Sequence, residues 1–215
     1  MSSLPWPVAS RWARRLAETI IEEAERVAIV GSIRRKREEV GDIELLVEPV
    51  MRTQQGDLFT QGARPDIQAV VDALLSEDRD RAVLKGGDRY VKMRLAGEGR
   101  REDHTTMDLF FCHPPASWGA LKVIRTGPSD LGRILVTMLR EKGWRQHKGA
   151  VWCPAHKVPP PFAGGSEPNT QIDGRAFVRI PTPEEEDVFE AVGLEYVPPE
   201  RRDDLAENLQ QRRTG

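Results

Sequence analysis

A Gly-Ser turn between two short apolar segments is the feature that most restricts the fold of this 215-residue sequence. Residues 27–30 are Val-Ala-Ile-Val and end at the Gly-Ser pair, and residues 43–47 resume the apolar pattern after a basic loop. Short β-branched runs bounded by glycine are typical of neighbouring strands. Asp42 and Glu44 alternate with apolar residues, so they project from one face of the second strand.

The rest of the first half mixes helical and extended patterns. Apolar residues at helical spacing in 8–25 and 66–75 predict two amphipathic helices. Short alternating runs at 82–84, 90–95 and 105–112 predict an antiparallel set of strands. We therefore expect an α+β fold, with a mixed or antiparallel sheet and helices in the first domain.

A change of pattern after His113-Pro114-Pro115 marks a domain boundary, because the following residues have helical spacing. We expect the first domain to span 1–115 and a small mixed α/β domain to span 116–202. Residues 203–215 are polar and charged, and we expect them to form a C-terminal tail.

Composition excludes two classes of protein. The apolar runs are far shorter than the roughly 20 residues that cross a bilayer, and the N-terminus lacks a secretory pattern. Two cysteines are too few for a disulfide scaffold. We expect a cytoplasmic monomer that does not contact a membrane.

Three acids are candidates for a metal site. Asp108 lies in the apolar run 105–112, and if that strand neighbours the strand of Asp42 and Glu44, the three carboxylates converge. Oxygen-only ligands select a hard cation such as Mg²⁺. Two such ions about 4 Å apart serve an in-line displacement at phosphorus, so the pattern indicates phosphoryl transfer.

The Gly-Ser turn itself suits a phosphate. Gly31 allows close approach of the backbone, Ser32 offers a hydroxyl and an amide, and Arg35 offers a fork for phosphate oxygens. Taken singly, each of these residues has a structural explanation. The Gly-Ser pair is a common kind of turn, and the arginine and the two acids that follow it could face water. Their combination favours the functional interpretation.

The run GSIRRKREEVGDIELL resembles the GS-x-RR…GD-x-D signature of family X DNA polymerases, the polymerase beta-like nucleotidyltransferases. Asp108 in TTMDLFF stands where that family has its third metal-binding aspartate. Thr126-Gly127 followed by LREKGW resembles the segment that opens the family's thumb, and VRIPTPEEEDVFEAVGLEYVPPERR is similar to its closing segment.

The resemblance implies a palm over 1–115 and a thumb over 116–202, as in the minimal members of the family. It implies a template-directed DNA polymerase that adds dNTPs to a primer 3′-hydroxyl with two Mg²⁺ ions, acting on primer/template or gapped DNA in repair. Asp42 and Glu44 would bridge both metals, and Asp108 would bind the catalytic metal. The nucleotide contacts it implies are Gly31, Ser32, Arg35, Gly41, Arg125, Thr126 and Gly127.

The thumb region also contains a basic stretch. Residues 122–148 hold seven Lys or Arg against two acids, and such a patch attracts nucleic-acid phosphates. The candidate DNA-binding residues are Arg133, Arg140, Lys142, Arg145 and Lys148. Trp144 and Trp152 could stack on a base, but a place in the thumb core is the more common role for such residues.

One departure from the family signature bears on metal choice. Glu44 stands where the family has aspartate, and the extra methylene moves the carboxylate by more than about 1 Å. Because Mg²⁺ geometry is strict, we expect slow catalysis with Mg²⁺ or a preference for Mn²⁺.

Two alternatives remain open at this point. The chain could be a template-independent nucleotidyltransferase acting on DNA ends, tRNA or another acceptor, or a DNA-binding module with a weakened site. Separately, Gln55, Leu58 and Phe59 form a Gln-x-x-Leu-Phe peptide that resembles the sliding-clamp motif of bacterial replication and repair proteins.

Overall fold

The structure is a computed structural model that describes residues 3–53, 62–95, 105–158 and 170–214. The chain divides into two compact units, Met1–His113 and Pro114–Gly215. The division lies two residues before the boundary expected from the sequence. Each unit contains its own cluster of buried apolar side chains.

The first unit is built around a five-stranded mixed sheet. In chain order its elements are β1 (Leu4–Pro5), α1 (Trp6–Thr19), β2 (Ala24–Ile29), α2 (Gly31–Arg34), β3 (Glu39–Val40), β4 (Ile43–Pro49), β5 (Met51–Thr53), β6 (Ala63–Pro65), α3 (Ile67–Ser76), β7 (Ala82–Lys85), β8 (Tyr90–Leu95) and β9 (Thr105–Phe111). The sheet order is β2-β4-β9-β8-β7. Strands β4 and β9 run parallel, whereas the other neighbours in this sheet are antiparallel.

Alternation along the strands decides which side chains meet the helices. Val91 and Met93 of β8 are buried in one cluster with residues of α1 and α3. Tyr90, Lys92 and Arg94 alternate with them and therefore project from the other side of the sheet. The same rule places Glu44 and Asp108 on that side. We call it the carboxylate face.

The second unit contains an antiparallel sheet of the order β10-β11-β13-β12 with helices packed on it. Its elements are α4 (Trp118–Thr126), α5 (Ser129–Glu141), β10 (Arg145–His147), β11 (Ala150–Pro154), β12 (Thr170–Ile172), β13 (Arg175–Ile180), α6 (Glu185–Val192) and α7 (Arg202–Thr214). With both units mixing helices and sheets, the predicted α+β fold class is confirmed.

The expected C-terminal tail is wrong, because residues 202–214 form helix α7. Leu205, Ala206 and Leu209 pack on the apolar cluster of the second unit. Their spacing puts them on one side of a helix. This apolar side is difficult to recognise in the sequence, because most of the other residues of the segment are charged or polar. Burial of these three side chains fixes the helix to the unit.

The helices in the described part of the chain are too short or too polar to traverse a bilayer.

Candidate active site

The three predicted carboxylates lie around the start of β4. Glu44 of β4 and Asp108 of β9 are register partners in the parallel pair, and neighbouring strands lie about 4.8 Å apart. Asp42 precedes β4 by one residue and shares the parity of Glu44 along the chain. The parallel pairing of two strands that are far apart in sequence therefore brings these acids together.

Asp108 is held by two donors from the adjacent strand β8. Tyr90 donates its hydroxyl hydrogen to Asp108 Oδ1 at 3.1 Å, and the Lys92 Nζ lies 3.3 Å from the same oxygen. Lys92 is the direct cross-strand partner of Asp108. The Tyr90 ring stacks on Phe110, with ring centroids 5.4 Å apart, so the phenol is fixed by packing as well as by its hydrogen bond.

Tyr90 and Lys92 are the residues of this site that the sequence analysis missed. Both alternate with buried apolar residues in β8, as Glu44 does in β4. That alternation was the available signal, because a polar residue on a half-buried strand must face something outside the core. The cross-strand register that assigns Lys92 to Asp108 was not readable from the local pattern.

The electrostatics of the site couple Asp42 to Asp108. Partial burial raises the pKa of Asp42, the negative charge of Asp108 raises it further, and the charge of Lys92 lowers it. Burial disfavours an ionised carboxyl, and a like charge nearby adds to that penalty. The two aspartates are therefore close enough to repel each other, and Lys92 offsets part of that repulsion.

Glu44 is packed against the Gly-Ser turn. Gly31 has a φ of +66°, and a Cβ at this position would overlap the carboxylate group of Glu44. The backbone N–H of Val30 donates to the Glu44 carbonyl oxygen at 3.0 Å. The turn therefore needs glycine both for its left-handed backbone and for the space that Glu44 occupies.

The donor set suits a hard divalent cation in chemistry, since it consists of carboxylate oxygens. In the present side-chain positions, however, no three Asp, Glu, His or Cys side chains of the described residues form a group able to hold a metal ion. Asp42 and Asp108 supply a coupled pair, and Glu44 lies against Gly31. The carboxylate chemistry thus fits such an ion, and Asp42 and Asp108, with Glu44 beside Asp108 in register, are the residues that would hold it.

The predicted nucleotide contacts of the first unit surround the start of β4. Gly31 and Ser32 lie in the four-residue helix α2, and Arg35 follows it directly. The Arg37 N–H donates to the Ser32 carbonyl oxygen at 3.1 Å, which closes the loop. Gly41 lies in the turn before Asp42, and a Cβ there would meet open space.

The remaining predicted nucleotide contacts lie in the second unit. Arg125 and Thr126 form the last turn of α4, and Gly127 ends the helix with a φ of +71°. Thr126 is fully buried, so its hydroxyl is shielded from solvent.

The structure brings together only two of the five predicted DNA-binding residues within the part of the chain that it describes. Arg140 and Arg145 line one polar cavity of about 450 Å³ together with His147 and Asp173. Arg133 pairs with Asp130 on its own helix. The remaining two are Lys142, whose Nζ donates to the Ala191 carbonyl oxygen at 2.8 Å, and Lys148, which is exposed.

The two tryptophans of this region belong to the core, as favoured by the sequence. Trp144 is 9% exposed and Trp152 is 2% exposed. Their indole rings are therefore not available for stacking on a base. The sliding-clamp peptide of Gln55, Leu58 and Phe59 lies outside the described residues.

Comparisons with known proteins agree with the fold. The family model of the DNA polymerase beta thumb matches residues 123–203. Among solved structures, the fold is similar to that of Leishmania infantum polymerase beta in a ternary P/T complex, with a TM-score of 0.68 and 19% sequence identity. The similarity covers 94% of this chain and 77% of that chain. No curated protein matches the sequence.

Residues 123–203 therefore match a polymerase beta thumb, and the fold over most of the chain is similar to that of a polymerase beta.

Proposed function

We propose that the chain is a template-directed DNA polymerase that transfers a nucleotide from a dNTP to a primer 3′-hydroxyl and releases pyrophosphate. The observation that carries the proposal is the parallel register of Glu44 with Asp108, which sets two strand carboxylates side by side with Asp42 adjacent. The match of residues 123–203 to a polymerase beta thumb supports the same reaction.

The residues that would hold divalent ions, Mg²⁺ or Mn²⁺, are Asp42, Asp108 and Glu44. Such ions, when bound, neutralise charge on the triphosphate and on the attacking and leaving oxygens. The side chains of this site do the positioning. Tyr90 and Lys92 both contact Asp108 Oδ1, and we assign to Oδ2 the proton of the primer 3′-hydroxyl.

The Gly-Ser turn is the proposed triphosphate contact. Ser32 and Arg35 lie next to the start of β4, close in sequence and in the fold to the carboxylates. A guanidinium fork pairs well with phosphate oxygens, and a hydroxyl can donate to another. These contacts would orient the triphosphate for attack without supplying chemistry of their own.

The polar cavity of the second unit, which contains two arginines and one aspartate, is the proposed contact with DNA phosphates. It brings Arg140 and Arg145 together, and the Arg145 guanidinium is further fixed over the Phe177 ring, 5.9 Å from its centroid. A fixed guanidinium loses less side-chain entropy when it pairs with a phosphate. Gap filling in DNA repair is the setting that we propose for this activity.

The test is extension of a labelled primer on a one-nucleotide gapped duplex, with each dNTP and rNTP in Mg²⁺ and in Mn²⁺. We expect the wild type to add the complementary dNTP, and Asp108→Asn to be slower by about 100-fold, because it loses a carboxylate at the reacting centre. Asp72→Asn is the matched control, since Asp72 lies exposed on α3 and accepts a hydrogen bond from the Gln68 side chain.

The other outcomes would replace the proposal. Addition that ignores the template base would establish a template-independent nucleotidyltransferase. DNA binding without addition in either metal would establish a binding module, and the position of Glu44 against Gly31 would then explain the lost activity.

A further inference from the structure

The contact between Lys92 and Asp108 is unusual for an ion pair on a sheet, because its acid is also a candidate metal ligand. The two residues face each other directly across the antiparallel pair of β8 and β9. Their side chains are 27% and 15% exposed, respectively, and the Nζ lies 3.3 Å from Oδ1. The ammonium is therefore partly desolvated, which strengthens its interaction with nearby carboxylates.

Lys92 acts on more than one carboxylate. It contacts Asp108 directly and also exerts its charge on Asp42. Two neighbouring carboxylates repel each other, and a positive charge nearby offsets that repulsion. The chain itself supplies one such charge on the neighbouring strand.

We propose that Lys92 is a tethered counter-cation of the Asp42–Asp108 pair, which competes with a divalent ion for Asp108 and raises the ion concentration needed to fill the site. This inference rests on the proposed function, since it takes those aspartates as metal ligands. Lys92 is then a positioning residue that acts through Asp108. An ion held by Asp108 would weaken or replace the contact of Lys92 with that carboxylate.

A simple structural role makes a different prediction. If Lys92 only tied β8 to β9, its removal would lower the stability of the fold and leave the affinity for metal unchanged or weaker. If Lys92 competes with the ion, its removal increases the affinity. The sign of the change in affinity separates the two roles.

The experiment measures Mn²⁺ binding by electron paramagnetic resonance on the full chain, without DNA or nucleotide. Lys92→Met removes the charge and keeps a side chain of similar length. We expect the dissociation constant of this variant for Mn²⁺ to fall about tenfold, because a nearby positive charge that competes with the ion is lost. Lys92→Arg keeps the charge and should bind Mn²⁺ as the wild type does. Lys122→Met is the control, because it removes the same charge from α4 of the second unit.

A second variant tests whether Asp108 is responsible for the gain in Mn²⁺ affinity. Asp108→Asn in the Lys92→Met background should abolish the gain, because the competition is for Asp108. In a metal-free buffer, Lys92→Met should also melt at a lower temperature than wild type, and Mn²⁺ should raise its melting temperature more than it raises that of wild type.

Several results would overturn the inference. These are an unchanged or weaker Mn²⁺ affinity in Lys92→Met, a gain that survives Asp108→Asn, or no binding by either the wild type or Lys92→Met. Primer extension is scored separately. A gain in Mn²⁺ affinity without any extension by the wild type would refute the proposed polymerase and leave the role of Lys92 standing.

Discussion

The carboxylate of Glu44 occupies the space in which a side chain at residue 31 would begin, so Gly31 and Glu44 are matched to each other. This relationship joins the Gly-Ser turn to strand β4, the first strand of the proposed metal site. The extra methylene that distinguishes Glu44 from aspartate carries its carboxylate toward the turn, and the absence of a Cβ at Gly31 makes room for it.

The first prediction concerns Gly31→Ala. Its Cβ would overlap Glu44, and its φ of +66° is costly for any residue with a Cβ. We expect the free energy of unfolding, measured in urea, to fall by about 3 kcal/mol. In a Glu44→Ala background the loss should shrink to about 1–2 kcal/mol, the backbone cost alone. An equal loss in both backgrounds would contradict the matching of the two residues.

Gly132→Ala is the control for that substitution. Gly132 lies inside helix α5, and a Cβ there would meet open space. Replacing glycine by alanine within a helix stabilises it by about 0.5–1 kcal/mol. The two substitutions should therefore change stability in opposite directions.

The second prediction concerns Glu44→Asp. A shorter side chain withdraws the carboxylate from Gly31 and returns it toward Asp42 and Asp108, where strict Mg²⁺ geometry is easier to satisfy. We expect the ratio of the Mg²⁺ rate to the Mn²⁺ rate in gap filling to rise. If Glu44→Asp is slower than wild type with both metals, the long side chain is an adaptation of this site and the prediction fails.

The third prediction concerns pH and Asp42 in a metal-free buffer. Burial and the charge of Asp108 raise the pKa of Asp42 above its ordinary value of 3.8. A raised pKa means that the folded state binds the proton more tightly, so stability is lost as the pH rises from 3.8 through the raised pKa. We expect Asp42→Asn, which stays neutral, to be more stable than wild type at pH 7, with the gain vanishing below pH 3.8.

Chemical denaturation from pH 3 to pH 8 would measure that difference. A gain for Asp42→Asn that is the same at all pH values would show that ionisation of Asp42 does not matter to the fold. If ionisation of Asp42 instead raised the stability of the wild type over this pH range, the folded site would be stabilising the charged carboxylate.

The local pattern of the sequence predicted the acids of this site but not their neighbours. Asp42 and Glu44 could be placed on one face because strand residues alternate, and that rule needs only the strand itself. Lys92 and Tyr90 obey the same alternation, yet their partner is known only once β8 is registered against β9. Register depends on long-range pairing and packing, which a local pattern does not contain.

Helix α7 shows a second limit of the local pattern. Its apolar residues are few and are surrounded by charges, so the segment has the composition of a tail. Packing of Leu205 and Leu209 on the core of the second unit makes it a helix. Tertiary contacts of this kind outweigh weak intrinsic preference.

The last prediction concerns the buried ion pair of Arg202 and Glu185 in the second unit. The Arg202 side chain is 0% exposed, and its Nη1 donates to Glu185 Oε1 at 2.9 Å. Its Nε donates to the Val197 carbonyl oxygen at 3.0 Å, and its guanidinium lies over the Phe189 ring. The pair therefore joins the start of α7 to the first turn of α6.

Removing one member of such a pair leaves a buried charge without its partner. We expect Arg202→Met to lower the free energy of unfolding by about 3–5 kcal/mol. The double variant Arg202→Met with Glu185→Leu should lose less, because neither charge is then left buried. Arg201→Met, at an exposed neighbouring position, should change stability little. Urea denaturation of these three variants, the Glu185→Leu single variant and the wild type measures all of these values. A double variant as unstable as the sum of its two single variants would show that the two residues act independently.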